Sequence, residues 1–248
     1  MKPRPHPPAR PHGVLTEVLP DLWFVTGTAA MPGPLPVRFS RAMTIVREGE
    51  RLVLVNSVRL DPDGLAALDR LGKVTDVIRL AGNHGADDPF YKQHYGARVW
   101  APVDAPYMPG FSPKAPPYFE PDQRFDASTK LPLRGASVHM FRSTPPEALL
   151  LLERHDGVVI AGDALQNWAQ RDEFFSWLGA LMMRRFGFIK PHNVGPGWLS
   201  QCKPPAEDLL AVLRLPFTHV LPAHGAPVIG DAIAKFRPAL EAAAARRS

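Results

Sequence analysis

A single cysteine, Cys202, stands among 248 residues, so no intrachain disulfide can form and the fold cannot lean on an oxidising compartment. A lone thiol of this kind reads as a small apolar filler. No run of eighteen apolar residues occurs, which removes a hydrophobic spanning helix. The opening MKPRPHPPARPHG lacks the apolar core of a secretory signal, so the expected location is cytoplasmic. Three other absences narrow the chemistry. No glycine-rich phosphate loop follows the first strand, which argues against a doubly wound nucleotide-binding sheet. No Gly-x-Ser-x-Gly elbow is present, so no Ser-His-Asp arrangement can be argued. No Lys/Arg run interleaves with aromatics. The formal charge of +5 is spread out, part of it at Lys2, Arg4, Arg10, Arg246 and Arg247. A mildly basic solvated surface, with no nucleic-acid partner, is the expectation.

What the chain does have is proline, 29 copies, clustered at 1–12, 32–36, 102–121 and 191–205. Proline interrupts helices and interior strands, so the last three clusters read as loops around a compact body. The first, within 1–15, reads as a flexible or extended tail with nothing to pack. Hydrophobic residues at 45% and charged residues at 21% suit an ordinary globular core, and 16–248 is expected to be one domain.

Asp21–Gly27, Arg41–Arg47, Leu52–Val55, Val74–Leu80 and Arg98–Ala101 read as strands. Gly49 near the centre of 48–51 signals a hairpin. Leu65, Leu68 and Leu71 at helical spacing, stopped by Gly72, predict a helix over 62–71. A short helix is expected at Pro89–Tyr95. Ser137–Arg142, Ala148–Glu153 and Val158–Ala161 are three more strands, with Asp156-Gly157 a hairpin turn between the last two. Helices follow at Pro205–Leu215 and Asp231–Ala245 around a strand at His219–Leu221, the second helix carrying Pro238. Two stacked sheets with helices outside satisfy this order, and the hairpins weigh against a purely parallel sheet.

Three polar segments follow predicted strands: Asn83-His84-Gly85-Ala86-Asp87-Asp88, Gly162-Asp163 and Pro222-Ala223-His224-Gly225. Strand ends are where sites assemble on a rigid scaffold, and each segment carries side chains that bind zinc or iron. Taken singly, each has a plainer account. Asp88 before Pro89 fits a helix cap, Asp163 fits a turn, and His224 fits an ordinary loop histidine. The joint occurrence at three strand ends favours a site.

These segments resemble the metallo-β-lactamase superfamily, and the likeness runs from about Leu22 to Ala234. The stretch Leu149–Asp163 is similar to the family's hairpin ending in Gly-Asp, whose aspartate is a metal ligand. Val220-Leu-Pro-Ala-His-Gly225 is similar to its closing Pro-Gly-His-Gly element. Val74–Leu80 with His84 falls where the family has His-x-His-x-Asp-His. The departures are specific: Ala86 and Pro89 replace two histidines, and Ser143 stands where a third ligand histidine often precedes a Thr-Pro-Gly turn. The string His-Gly-Ala-Asp-Asp-Pro-Phe-Tyr, with Trp100-Ala-Pro102, Glu147 and Asp163-Ala-Leu-Gln-Asn167, resembles one branch with this reduced motif.

The resemblance implies an α/β fold, a four-layer αββα sandwich. It implies a metal set of His84, Asp88, Asp163 and His224, with Asp87 as a rival ligand and Asp87, Asp88 and Asp163 as acid–base groups. Two imidazoles and two carboxylates suffice for one divalent ion, zinc or iron with manganese as a further option, and an open position for water. Such an ion brings bound water to a pKa near about 7, and a spare carboxylate could serve as base. The implied function is a metal-dependent hydrolase acting on an ester, lactone, amide or phosphoester. The alternatives are a catalytically silent relative binding a small ligand or partner, and an iron-dependent redox enzyme at the same site.

The insertion at about 168–202 is rich in Phe, Trp, Leu and Met. A helix over Asp172–Arg185 packed on the core, an apolar lid over the site, and a membrane-surface helix flanked by Arg184 and Arg185 all fit it. His192 within it could approach a metal. His94, His139, His155 and His219 are not expected to be ligands. The expected partners are a small-molecule substrate and, compatibly, a second copy in a homodimer, with no stable membrane insertion.

Overall fold

Strands buried on both faces explain the layering. The protein, seen in a computed structural model that describes residues 6–31, 37–108 and 116–247, forms β1 (Thr16–Leu19), β2 (Leu22–Ala30), β3 (Arg38–Glu48), β4 (Arg51–Val55), α1 (Pro62–Leu71), β5 (Lys73–Ile78), α2 (Asp88–Tyr95), β6 (Arg98–Pro102) and β7 (Gln123–Phe125). These seven strands make one sheet in sequence order, antiparallel from β1 to β4 and parallel from β4 to β7. Then come β8 (Ala136–Phe141), β9 (Glu147–Leu152), β10 (Val158–Ala161), the short β11 (Leu165–Gln166), α3 (Trp177–Arg185), the short β12 (Asn193–Val194), α4 (Pro196–Cys202), α5 (Ala206–Ala211), β13 (His219–Pro222) and α6 (Ala232–Ala245). The second sheet runs β13-β10-β9-β8.

Alternate side chains of these strands enter different cores. Leu22 and Phe24 of β2, Val53 and Val55 of β4, Leu150 and Leu152 of β9, and Val158 and Ile160 of β10 meet between the sheets. Their neighbours Trp23, Val25, Leu52 and Leu54 face outward and pack with Leu68 of α1 and Phe90 and Tyr91 of α2. On the other side Leu149, Leu151 and Val159 pack with Trp198 and Cys202 of α4, Leu209 of α5, and Phe236 and Leu240 of α6. The period of two in each strand thus separates three apolar layers, and the αββα sandwich is the result. Cys202 is buried filler in the last of them.

The expected elements form, with adjusted edges. The insertion helix begins at Trp177 because Ser176 is extended and caps Gly179 N. Its backbone N–H instead donates to Arg38 O at 3.1 Å, and its Oγ accepts from Arg38 N at 3.0 Å. Asp172 caps a separate turn through Phe174 N. The helix after Pro205 tightens into a 3-10 turn over Val212–Arg214, and α6 continues through Pro238. The two-to-four-residue strands β1, β7, β11 and β12 and the seven-residue α4 carry too little periodicity to be seen in sequence.

Residues 6–15 are extended and anchored on the body. Prolines donate no N–H but their carbonyls accept: Arg59 donates to Pro7 O at 2.6 Å and Thr28 Oγ1 to Pro11 O at 2.7 Å. His12 Nε2 accepts from Asp61 N at 2.9 Å. Residues 1–5 and the proline cluster at 32–36 lie outside the described residues. Among the described residues, no helix is long and apolar enough to cross a membrane.

A buried acid ties the two sheets at the end of β3. Glu48 accepts from Arg134 Nε at 2.8 Å and from Arg154, both in the second half of the chain. Burial alone would raise the Glu48 carboxyl, but these two guanidinium groups hold it below its ordinary value of 4.5. Its contribution to stability is therefore complete above that pH and is lost as pH falls through the lowered value. Glu48→Gln should cost about 2 kcal/mol at neutral pH and flatten the acid limb of the stability curve. Urea unfolding at neutral and acidic pH measures both effects.

Candidate metal centre

β10 and β13 run parallel with Ala161 opposite Pro222. Asp163 and His224 each lie two residues beyond that pair, so the register alone delivers both to one end of the sheet. The turn at His224 requires glycine next to it. Gly225 has φ of +93°, and a Cβ there would lie 2.1 Å from the Asn167 carbonyl, a conformation and contact an L side chain does not tolerate. Asn167 fastens the same turn: its N–H donates to His224 O and its amide to Ala226 O, each at 2.9 Å.

His84 arrives from the first sheet, on the loop after β5. Two residues hold that loop, and neither stood out in the sequence. Asn56, in a left-handed conformation (φ of +56°) just past β4, accepts from Leu80 N at 3.2 Å and donates to Ala161 O at 3.0 Å. One buried amide therefore links the end of β5 to the end of β10. Arg79 is fully buried with its guanidinium over the Tyr107 ring, 3.8 Å to the centroid. It donates to the carbonyls of Gly82, His84, Pro106 and Ala105. The only signal for it was a lone cation ending an apolar strand.

The result is a tight triad. His224 Nε2 lies 2.9 Å and His84 Nε2 3.3 Å from Asp163 Oδ1, and one ligand atom from each residue lies within 4.8 Å of the others. The two imidazole rings meet edge to face at 5.2 Å. Burial alone would raise the Asp163 carboxyl, but the two histidines hold it well below the usual aspartate range. Behind it, Glu147 is buried and accepts from Ala164 N at 2.5 Å. Burial, and then the Asp163 carboxylate, push Glu147 well above the glutamate range, which favours a neutral acid next to a charged carboxylate.

The triad suits a metal ion on its donor chemistry. His224 Nδ1 lies 3.3 Å from the Ser40 carbonyl, which can only accept, so the ring proton belongs there. That orientation turns the Nε2 lone pair toward the Asp163 carboxylate. Two acceptors at this separation require a proton or a cation between them. Donor atoms around one tetrahedral zinc stand roughly 3.3 Å apart, given bonds of about 2.0–2.1 Å, close to the spacings found here.

Asp88 and Asp87 are not brought into this group. Asp88 is fully buried, accepting from Ser57 Oγ at 2.6 Å and Tyr107 Oη at 2.5 Å. Burial raises its carboxyl in spite of those hydroxyls and Arg79. Asp87 pairs with Arg41 and accepts from Arg59 N at 2.7 Å. Ser143 donates to Pro145 O at 3.0 Å and lines an open cleft of about 500 Å³ with Asp104, Asp126 and Met140. Of the other histidines, His192 packs edge-on against Phe236, His94 stacks on Phe90, and His139 packs edge-on against Phe141. His155 donates to Pro20 O and His219 accepts from Gly230 N.

The insertion supplies the apolar wall. The Trp168 ring lies 4.9 Å from that of His224, and its Nε1 donates to Ser40 Oγ at 2.8 Å. Phe39 approaches His224 at 6.2 Å, and Phe175 stands 5.5 Å from Trp168. One side of the centre is therefore aromatic.

No family model matches the chain, and no curated protein matches it. Solved structures do. The protein VMB-1 is similar with a TM-score of 0.63 at 10% identity, over 94% of this chain and 97% of that one. The metallo-β-lactamase FIM-1 from Pseudomonas aeruginosa, in its mono-zinc form, gives 0.59 at 14%, over 97% and 99%. A metallo-β-lactamase from Hirschia baltica gives 0.60 at 13%, over 95% and 98%. At such identities the likeness is one of fold, and the fold is that of the metallo-β-lactamases.

Proposed function

We propose that this chain, which has the metallo-β-lactamase fold, is a metal-dependent hydrolase built on a single-ion centre of His84, Asp163 and His224. The observation that carries the reading is the convergence of two imidazoles on one carboxylate oxygen, with His224 oriented to present a lone pair. Two histidines and a carboxylate, with a fourth position left open, form the ligand set of hydrolytic zinc sites. When bound, zinc supplies a Lewis acid and activates water.

The residues of the chain account for the rest. Asp163 carries the negative charge, while Glu147 behind it is favoured as the neutral acid. The Ser40 carbonyl fixes the ring of His224, and Arg79 and Asn56 fix the loop of His84. Trp168 and Phe39 exclude water on the His224 side, which strengthens every charge interaction there. Asp87 and Asp88 are engaged elsewhere and take no part as bases. The substrate is an ester, lactone, amide or phosphoester.

A second reading has its own support. Two histidines and one carboxylate are also the ligand set of non-haem iron centres, so an iron-dependent redox enzyme shares the same geometry. Elemental analysis of protein purified without chelator separates the two. About one zinc per chain is expected, and one iron would favour the redox reading. The His155→Ala variant should hold as much metal as the parent, since His155 precedes β10 and is bonded to Pro20 O, while Asp163 lies beyond the other end of that strand. Parent protein that takes up no zinc, iron or manganese would leave the triad a hydrogen-bond network in a catalytically silent relative.

A further inference from the structure

Helix α3 is packed too closely on one side to hide the other. Gly179, Ala180 and Met183 are buried, and a Cβ on Gly179 would lie 2.0 Å from the Arg38 carbonyl. That contact fixes which residues turn outward. Trp177 is 71% exposed, Leu181 one turn later is 58% exposed, and Phe186 just past the helix end is 61% exposed. Among the described large apolar residues only Val14 is more exposed, and it lies far away in sequence. Exposed Arg184 and Arg185 flank this patch.

The charge on the helix and in the stretch after it has one sign, with the exposed Glu173 the nearest acid before it. From Phe174 to Ala206 the sequence holds no Asp or Glu, while Arg184, Arg185, Lys190 and Lys203 are basic. Exposed apolar and aromatic side chains next to two arginines complement an anionic lipid–water interface, where rings sit at headgroup level and guanidinium groups meet phosphates. A helix of nine residues is too short to span a bilayer but long enough to lie on one.

We infer that α3 docks the protein peripherally on an anionic lipid bilayer, with Trp177, Leu181 and Phe186 entering the interface and Arg184 and Arg185 contacting lipid phosphates. The docking does not rest on the hydrolase reading. The helix is tied to the surroundings of the centre, because Ser176 at its start is hydrogen-bonded to Arg38, two residues from the Ser40 carbonyl that faces His224.

The test is co-sedimentation of the full chain with vesicles of phosphatidylcholine alone and of phosphatidylcholine mixed with phosphatidylglycerol. Pelleting is expected with the mixed vesicles, about tenfold or more above the neutral ones, and should weaken as salt is raised. Trp177→Ala and the double variant Arg184→Gln/Arg185→Gln should each lose most of it with unchanged circular dichroism. No pelleting with mixed vesicles, equal pelleting with neutral ones, or unaffected variants would overturn the inference. So would a dimer in sedimentation velocity that Trp177→Ala dissociates, since it would assign the face to a second copy.

Discussion

Asp163→Asn should give a folded protein that no longer holds a metal ion. The carboxylate oxygen is the one atom that both imidazoles share, at 2.9 and 3.3 Å, and an amide keeps its shape while removing its charge. Loss of groups merely behind a metal ligand already weakens binding about 10–100-fold, so loss of a shared anionic ligand should exceed about 100-fold in dissociation constant. The fold should persist, because the β10–β13 register and the Asn56 link do not involve the Asp163 side chain. Zinc titration monitored by calorimetry, with circular dichroism as the control, gives the answer. A variant that still binds one equivalent with parental affinity would remove Asp163 from the centre.

Asp88 should behave in the opposite way. Its oxygens are taken by Ser57 and Tyr107, and burial leaves no water to replace it. Asp88→Ala orphans two buried hydroxyls, each worth about 1–3 kcal/mol when unpaired, so a loss of about 3 kcal/mol or more is expected. For a chain of this size that is a fall in Tm of roughly 6–12 °C. Asp88→Asn, which keeps an acceptor for one of the two hydroxyls, should lose less. Metal affinity of the Asn variant should stay within a few-fold of the parent. A loss of metal as deep as that of Asp163→Asn would place Asp88 among the ligands.

The contrast between these two aspartates marks the limit of what a sequence carries. Asp163 was legible because an apolar hairpin strand ending in a Gly-Asp pair marks its place within a few residues. Asp88 sits equally well in a ligand motif and at a helix start. What decides between them is Tyr107, nineteen residues away in a proline-rich loop, and Ser57, thirty-one residues away beyond another strand. No periodicity records such a meeting. The layers were legible for the reverse reason: β2, β4, β9 and β10 are short, nearly unbroken apolar runs, and such runs mark strands buried on both faces. Asn56 and Arg79 stayed hidden because a polar residue at a strand end is ordinary, and only three-dimensional contacts reveal that these span the sheets. The helical part of the insertion was visible, while its start at Ser176 depends on a pairing with Arg38 far upstream.

The three residues of the candidate centre are separated by 79 and 61 residues along the chain and come from both sheets. Such a site has high contact order: its donors meet only after both sheets have formed and docked, so loop-closure entropy delays it to the end of folding. An ion that binds there cannot guide the early chain. It acts on the finished sandwich, stabilising the native state by mass action and slowing its unfolding rather than hastening its assembly.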